Sequence, residues 1–229
     1  MHVLLAGAGL GGLTAALCLR RRGADVTVLE QAAVLGEAGA GVQLSPNATR
    51  ILIDLGLGPA IEAVACEPAS IEMREGRGGR LLMHLPLEQA RGRWGGPYLH
   101  LHRADLQQAL LDALSAEGGA DIRLSARVEA VEAAQVRLAD GETLAADAVI
   151  GCDGIRSAVR TALLGEAPPR FTGQVAWRGL VPAERLPPEL SRPAARAWLG
   201  VGRHFVCYPV KGGMLINFIG VVERPDWRV

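Results

Sequence analysis

Gly7-Ala8-Gly9-Leu10-Gly11-Gly12 decides the fold, because what flanks it is as specific as the glycines themselves. The apolar run Val3, Leu4, Leu5, Ala6 precedes it, and a helical pattern of Leu13, Ala16 and Leu17 follows and closes at Gly23. A second apolar run, Val26, Val28 and Leu29, then ends in Glu30. Strand, glycine turn, helix, strand and acid within roughly 30 residues is the layout of a dinucleotide-binding βαβ unit. Gly7 permits the tight turn, Gly9 lets the backbone approach a pyrophosphate, and Gly12 lets the helix pack close to the strand. The helix amino terminus presents free N–H groups and a positive dipole end to the phosphates. Glu30 stands where a carboxylate can accept hydrogen bonds from both hydroxyls of an unphosphorylated ribose. A glycine-rich turn between packed elements is the plain structural alternative.

Working outward, the 229 residues carry no formal net charge and no long run of like charge, which gives no signal for nucleic acid or an acidic membrane surface. Arg20, Arg21 and Arg22 form a basic cluster where the first helix ends, and read as a solvated terminus that complements the dipole. Cys18, Cys66, Cys152 and Cys207 are far apart with no CxxC pair. They read as reduced, packed residues of a cytoplasmic protein, with no metal site or disulfide framework implied. No uninterrupted apolar run reaches membrane-spanning length.

Further along, Gly36, Gly39 and Gly41 mark a loop before Val42-Gln43-Leu44, and Ser45-Pro46-Asn47 opens a helix with apolar face Ile51, Leu52 and Leu55. Residues 70–101 are β-like, with a hairpin turn at Gly76, Gly78 and Gly79. A helix from about Arg103 carries the stripe Leu106, Ala109, Leu110, Ala113, Leu114. Two strands around Val128, Val131 and Val136, Leu138 are expected to turn at Asp140-Gly141. Ala148-Val149-Ile150 is expected to be a short buried strand, followed after Gly154 by a helix with Val159, Leu163 and Leu164. From Phe171 the chain reads as strands, interrupted by a proline-rich loop at Pro182 to Pro193.

The run Ala148-Val149-Ile150-Gly151-Cys152-Asp153-Gly154-Ile155-Arg156-Ser157-Ala158-Val159-Arg160 resembles the DG motif of flavoprotein monooxygenases. Together with Gly7 to Gly12, Glu30, the stretch Gly39 to Asn47 and His102-Arg103-Ala104-Asp105-Leu106, the chain is similar to class A FAD-dependent aromatic hydroxylases, nearest to salicylate hydroxylases and 6-hydroxynicotinate monooxygenases. The resemblance runs over essentially the whole chain. It implies an α/β fold like that of p-hydroxybenzoate hydroxylase, with a Rossmann-like FAD-binding domain (1–70 and 101–170) interleaved with a β-sheet substrate domain (71–100 and 171–229). It also implies hydroxylation of a phenolic or aromatic carboxylic acid with NAD(P)H and O2, through a flavin C4a-hydroperoxide. No metal, nucleic acid or membrane partner is implied.

By the same resemblance, Gly7, Gly9, Gly12 and Glu30 bind the ADP half of FAD, and Gln43 lies in the segment passing the isoalloxazine. Arg103 contacts FAD phosphates or ribityl oxygens, with Gln107 one turn along the same helix face. Asp153 contacts FAD and the groove used by the nicotinamide donor, although Asp-Gly also reads as a simple turn feeding a helix. Ala176-Trp177-Arg178-Gly179-Leu180 and Gly202 to Pro209 resemble the strands that wall the substrate pocket. His204 and Tyr208 share one strand face by their even spacing. They can deprotonate a phenol and stabilise the phenolate, and Arg178 can pair with an aromatic carboxylate. Structural roles for this histidine and tyrosine remain open.

The family pattern includes a later Gly-Asp motif that holds the ribityl chain, and no Gly-Asp dipeptide occurs in this sequence. The expectation is therefore an amino-terminal portion of such an enzyme, with the carboxyl-terminal part missing. Two other readings stand beside the hydroxylase: a catalytically incompetent FAD-binding fragment, and a same-fold FAD enzyme acting on an apolar substrate such as a polyprenyl chain. An NAD-dependent dehydrogenase is disfavoured by the Asp153-Gly154 region.

Overall fold

The strand His2–Ala6 lies inside a parallel sheet, flanked by Ala148–Gly151 on one side and by Asp25–Leu29, then Asp121–Arg123, on the other. Val3, Leu4, Leu5 and Ala6 are all buried, as a parallel strand covered on both faces requires. The helix Leu10–Arg20 buries Gly12, Leu13, Ala16 and Leu17 and ends before Gly23, whose φ is +77°. These elements belong to the computed structural model, which describes residues 1–36 and 41–226. The chain separates into two compact units, 1–36 with 107–170 and 37–106 with 171–229.

In the first unit, Val136 and Leu138 of the strand Gln135–Leu138 pack with Leu4, Leu29 and Ala126, joining a small antiparallel sheet to the parallel one. The turn differs from the sequence expectation. The strands Val128–Glu132 and Gln135–Leu138 are joined at Ala133, with φ of +51°, and Asp140-Gly141 leads on to a further strand, Thr143–Ala145. The Asp-Gly signal marks a real hairpin, but the one after the pair it was assigned to.

Two burial expectations are corrected. Ala148–Gly151 is the edge strand of the parallel sheet, and Ile150 is exposed. In the helix Ala158–Leu164, Val159 is buried while Leu163 and Leu164 are 76% and 80% exposed. Apolar spacing shows which residues share a helix face, but not whether another element covers it.

In the second unit, six strands among the described residues run in the order Gln174–Pro182, Leu215–Glu223, Arg203–Val210, Ala194–Gly200, Ser70–Glu75, Leu81–Pro86. All neighbours are antiparallel except Ala194–Gly200 with Ser70–Glu75. The Gly76–Gly79 turn joins its last hairpin as expected. Gly41–Leu44 pairs antiparallel with Leu99–His102. The helix Pro46–Asp54 starts where the sequence places it, although the Ser45 hydroxyl donates to the Asn47 side chain and does not cap the backbone. Its Leu52 is buried, but Ile51 is exposed.

The units divide at 36/37 and 106/107, whereas the sequence-based domains divide at 70/71 and 100/101. Pairing of Gly41–Leu44 with Leu99–His102, and a hydrogen bond from the Gly41 N–H to Asn217, set residues 41–70 among the second unit's contacts. Which residues contact cofactor is a separate matter from this division. Gly39, at the loop preceding the first of these strands, lies outside the described residues.

Candidate cofactor and substrate sites

The glycine turn shows three different reasons for glycine. Gly7 has φ of +102°, and a Cβ there would lie 2.4 Å from the Cys152 carbonyl oxygen. A Cβ on Gly12 would lie 1.9 Å from the Gly7 carbonyl oxygen, so the helix could not pack where it does. Gly9 is different. Its backbone is ordinary extended chain (φ −67°, ψ 176°), and a Cβ would meet nothing within 4 Å. Neither conformation nor packing calls for glycine at position 9, and the open space sits at the amino terminus of a helix, where N–H groups are unsatisfied by the helix itself. That geometry suits the diphosphate of a dinucleotide.

The peptide between these glycines is gripped from both sides. The Ala8 N–H donates to Glu30 Oε2 at 2.8 Å, and Gln107 Nε2 donates to the Ala8 carbonyl at 3.4 Å. Glu30 Oε1 also accepts from the Ala32 N–H at 2.9 Å. Each carboxylate oxygen keeps a further acceptor site for a ribose hydroxyl. Asp153 lies beyond the strand next to the turn and caps the following helix: its carboxylate accepts from the Ser157 hydroxyl at 2.5 Å and from the N–H groups of Ala158 and Val159 at 2.7 and 3.3 Å. These bonds hold the turn and the start of the helix that it feeds.

In the second unit, Gln43 is half-buried and its Oε1 accepts from the Tyr98 hydroxyl at 2.8 Å. Arg103 is the first residue of the helix Arg103–Ala116 and is half-buried. In that first turn Asp105 is ion-paired with Lys211. His204 and Tyr208 share a face of Arg203–Val210, but four residues of strand separate them by about 13 Å. They also differ in setting: His204 is exposed and Tyr208 is 3% exposed. Arg178 is exposed and sits in register with Ile219, which pairs with Val206, so it lies two strands away on the same face, at a level between His204 and Tyr208.

Burial pushes the Tyr208 phenol up to about 12, with Arg178 pulling the other way. At neutral pH Tyr208 is therefore a hydrogen-bond donor and not a base. A cavity of about 790 Å³ in this unit is lined by Trp177, Trp198, Phe205, Arg203 and His204, among others, but not by Tyr208 or Arg178. Of the sequence-expected trio, the cavity therefore reaches His204 and not the other two.

His100 and Asn217 are the residues sequence reasoning missed. His100 is fully buried, its ring centroid is 4.8 Å from that of Tyr208, and burial drives its pKa down to about 3 against a partial offset from the Pro209 carbonyl. Asn217 is 1% exposed, pairs with Tyr208 across the strands, and accepts from the Gly41 N–H at 2.7 Å. The alternation Leu99-His100-Leu101-His102 was the available signal, since it puts both histidines on one strand face. Among the described residues, no group of three His, Cys, Asp or Glu is arranged to hold a metal, and no helix is long and apolar enough to cross a membrane.

Comparison with known proteins follows the same lines. The family model described as FAD binding domain matches residues 1–204. Among curated relatives, 3-amino-4-hydroxybenzoate 2-monooxygenase PtmB3 of Streptomyces platensis is 41% identical across 99% of this chain and 57% of its own length. The 3-hydroxybenzoate 6-hydroxylase 1 of Aquipseudomonas alcaligenes is 37% identical across 95% of this chain and 57% of its own. The crystal structure of Klebsiella pneumoniae HpxO complexed with FAD and uric acid superimposes with a TM-score of 0.83 at 27% identity, covering 100% of this chain and 58% of that one. The chain thus spans somewhat more than half the length of these relatives.

Proposed function

Since the chain belongs to the class A FAD-dependent aromatic hydroxylase family, we propose that it binds FAD and serves the hydroxylation of a phenolic or aromatic carboxylic acid with NAD(P)H and O2. The observation that carries the reading is Gly9, a glycine that its own fold does not require, facing open space at a helix amino terminus. In this proposal the Gly9 backbone admits the pyrophosphate, the first-turn N–H groups of Leu10–Arg20 neutralise its charge, and the remaining acceptor sites of Glu30 take the ribose hydroxyls. Gly7 and Gly12 keep the turn in shape, and Gln107 fixes it through the Ala8 carbonyl. Arg103 contributes a permanent charge and a planar fork suited to phosphate, and Gln43 an amide beside the flavin. Asp153 holds the turn at Ser157 to Val159 along the nicotinamide path.

Bound FAD supplies the redox chemistry, taking electrons from NAD(P)H and activating O2 for transfer of one oxygen atom to the ring. The protein's own part is to orient the ring and manage its protons. Exposed His204, about 13 Å along the strand from Tyr208, takes up the phenol proton through intervening water, which enriches the ring carbons in electron density. Tyr208, protonated at working pH, donates a hydrogen bond to the phenolate, and Arg178 pairs with the carboxylate. The named substrates of the relatives, hydroxybenzoates, supply the substrate class. The four unpaired cysteines suit a reducing compartment, and we place the protein in the cytoplasm on that ground.

Because the chain spans 57% of those relatives, binding and turnover are tested separately. Flavin absorbance during titration with FAD reads binding. NAD(P)H oxidation stimulated by hydroxybenzoates, with a polyprenyl substrate as control, reads turnover. Stimulation by hydroxybenzoates alone is expected; stimulation by the polyprenyl substrate alone would overturn the substrate class, and FAD binding without turnover would favour a binding role.

A further inference from the structure

Tyr208 works as a substrate-facing donor only if its ring is held in one orientation, and the structure shows what holds it. On one side is the His100 ring, 4.8 Å away between centroids and tilted by 46°. Elsewhere the backbone of Gly41 abuts the phenol so closely that a Cβ there would lie 2.7 Å from Tyr208 Cε2. Beyond His100, the Tyr98 ring meets the imidazole edge-on at 5.8 Å and 85°, and the Tyr98 hydroxyl donates to Gln43. Gln43 and His100 are direct partners in the antiparallel pair, which sets them on the same face.

An imidazole is an unusual choice at a fully buried position. Among the described residues neither of its ring nitrogens has a hydrogen bond of ordinary geometry, and the Pro209 carbonyl gives only a partial offset. Leucine would fill much of the space without burying polar atoms but would lose the flat ring that meets Tyr208, a contact that any aromatic ring there keeps. The ring stays neutral at working pH, so it adds no charge beside the phenol, where Arg178 and Tyr98 are the titratable groups acting on Tyr208.

We propose that His100 is a positioning residue for Tyr208: its ring holds the phenol in one orientation and, through Tyr98 and Gln43, ties that orientation to the strand Gly41–Leu44. This rests on the reading of Tyr208 as a donor to substrate. Gln43 is the residue proposed above to run beside the flavin, so the cluster couples the placement of a flavin-side amide to that of a substrate-side phenol.

Tyr98 and Tyr208 are the two tyrosines of the sequence, which makes the test clean. The 229-residue chain is labelled with 13C at the tyrosine ε positions, and Tyr98→Phe assigns the remaining ring signals to Tyr208. In the unmutated chain Tyr208 is expected to give two separate ε signals, the mark of a ring that flips slowly. His100→Phe, which keeps a ring in place, is expected to preserve them. His100→Leu, which fills the volume without a ring, is expected to merge them through at least tenfold faster flipping, with far-UV circular dichroism confirming the fold.

A single averaged Tyr208 signal in the unmutated chain overturns the proposal, as does a folded His100→Leu chain with two unchanged signals. Should His100→Leu fail to fold, the unmutated chain and His100→Phe decide. Comparison of Tyr208 line shapes with and without Tyr98→Phe reads the tie to Gln43: a few-fold faster flip is expected, and an unchanged one refutes that link. These signals need neither flavin nor turnover, so they can fail while FAD binding holds, and the reverse.

Discussion

The glycine turn of the first unit and the ring cluster of the second are fixed by different means. At Gly7 and Gly12 the backbone itself is the constraint: added Cβ atoms would overlap carbonyl oxygens within the same few residues and the adjoining strand. Around Tyr208 the constraint is side-chain packing among segments distant in the chain, Gly41–Leu44, Leu99–His102, Arg203–Val210 and Leu215–Glu223. A site built from backbone tolerates no Cβ but depends on few side chains. A site built from packed rings tolerates conservative exchange and fails when a polar anchor is lost. The first geometry suits a group common to many enzymes, a pyrophosphate. The second suits recognition that varies with substrate.

The contrast is sharpest at Gly12. Gly12→Ala places a methyl 1.9 Å from a backbone oxygen that cannot swing away, and we expect a loss of more than about 3 kcal/mol in urea unfolding. A loss below 1 kcal/mol would show that the turn yields more easily than its packing implies.

Acid tests the ring cluster next. The folded pKa of His100 is depressed to about 3 from an ordinary value near 6.5, so its contribution to stability is fully present above about pH 6.5 and is lost as pH falls toward 3. Between pH 6 and 4 the chain should lose stability more steeply than His100→Phe does. Parallel curves for the two would mean that the imidazole protonates freely in the folded state.

A smaller effect is expected at Asn217. Replacing it by alanine leaves the half-buried Gly41 N–H without its acceptor and should cost about 1–2 kcal/mol, read by thermal or urea unfolding. It should also shift the Tyr208 signals, because Gly41 abuts that ring. A change in stability with unmoved Tyr208 signals would separate the polar anchor from the ring cluster.

Legibility in the sequence follows the same divide. The glycine turn, its strands and Glu30 are readable because the positive φ at Gly7, the close Gly7–Gly12 approach and the spaced acid all lie within the first 30 residues, whereas the Cys152 carbonyl that also crowds Gly7 is not marked there. Even spacing placed His204 and Tyr208 on one face, but not their opposite exposure, which depends on what Gly41–Leu44 and Leu99–His102 cover. His100 drew no attention because nothing local marks one histidine of Leu99-His100-Leu101-His102 as a ring neighbour of a tyrosine 108 positions later. Leu163 and Leu164 show the converse: a clear apolar pattern on a surface that no described element covers. Local geometry is written in the order of residues, whereas burial belongs to the whole pairing scheme.

The most direct test of the central claim is FAD binding by the chain and by Gly9→Val, each followed by flavin absorbance after gel filtration, beside an unfolding curve for each. Position 9 has ordinary extended backbone and open space, so the variant should fold, losing about 1 kcal/mol because glycine is the better N-cap residue. The account predicts that the parent retains FAD and that the folded variant binds it at least a hundredfold more weakly. A variant that retains FAD as well as the parent would contradict the claim that Gly9 is there for the ligand.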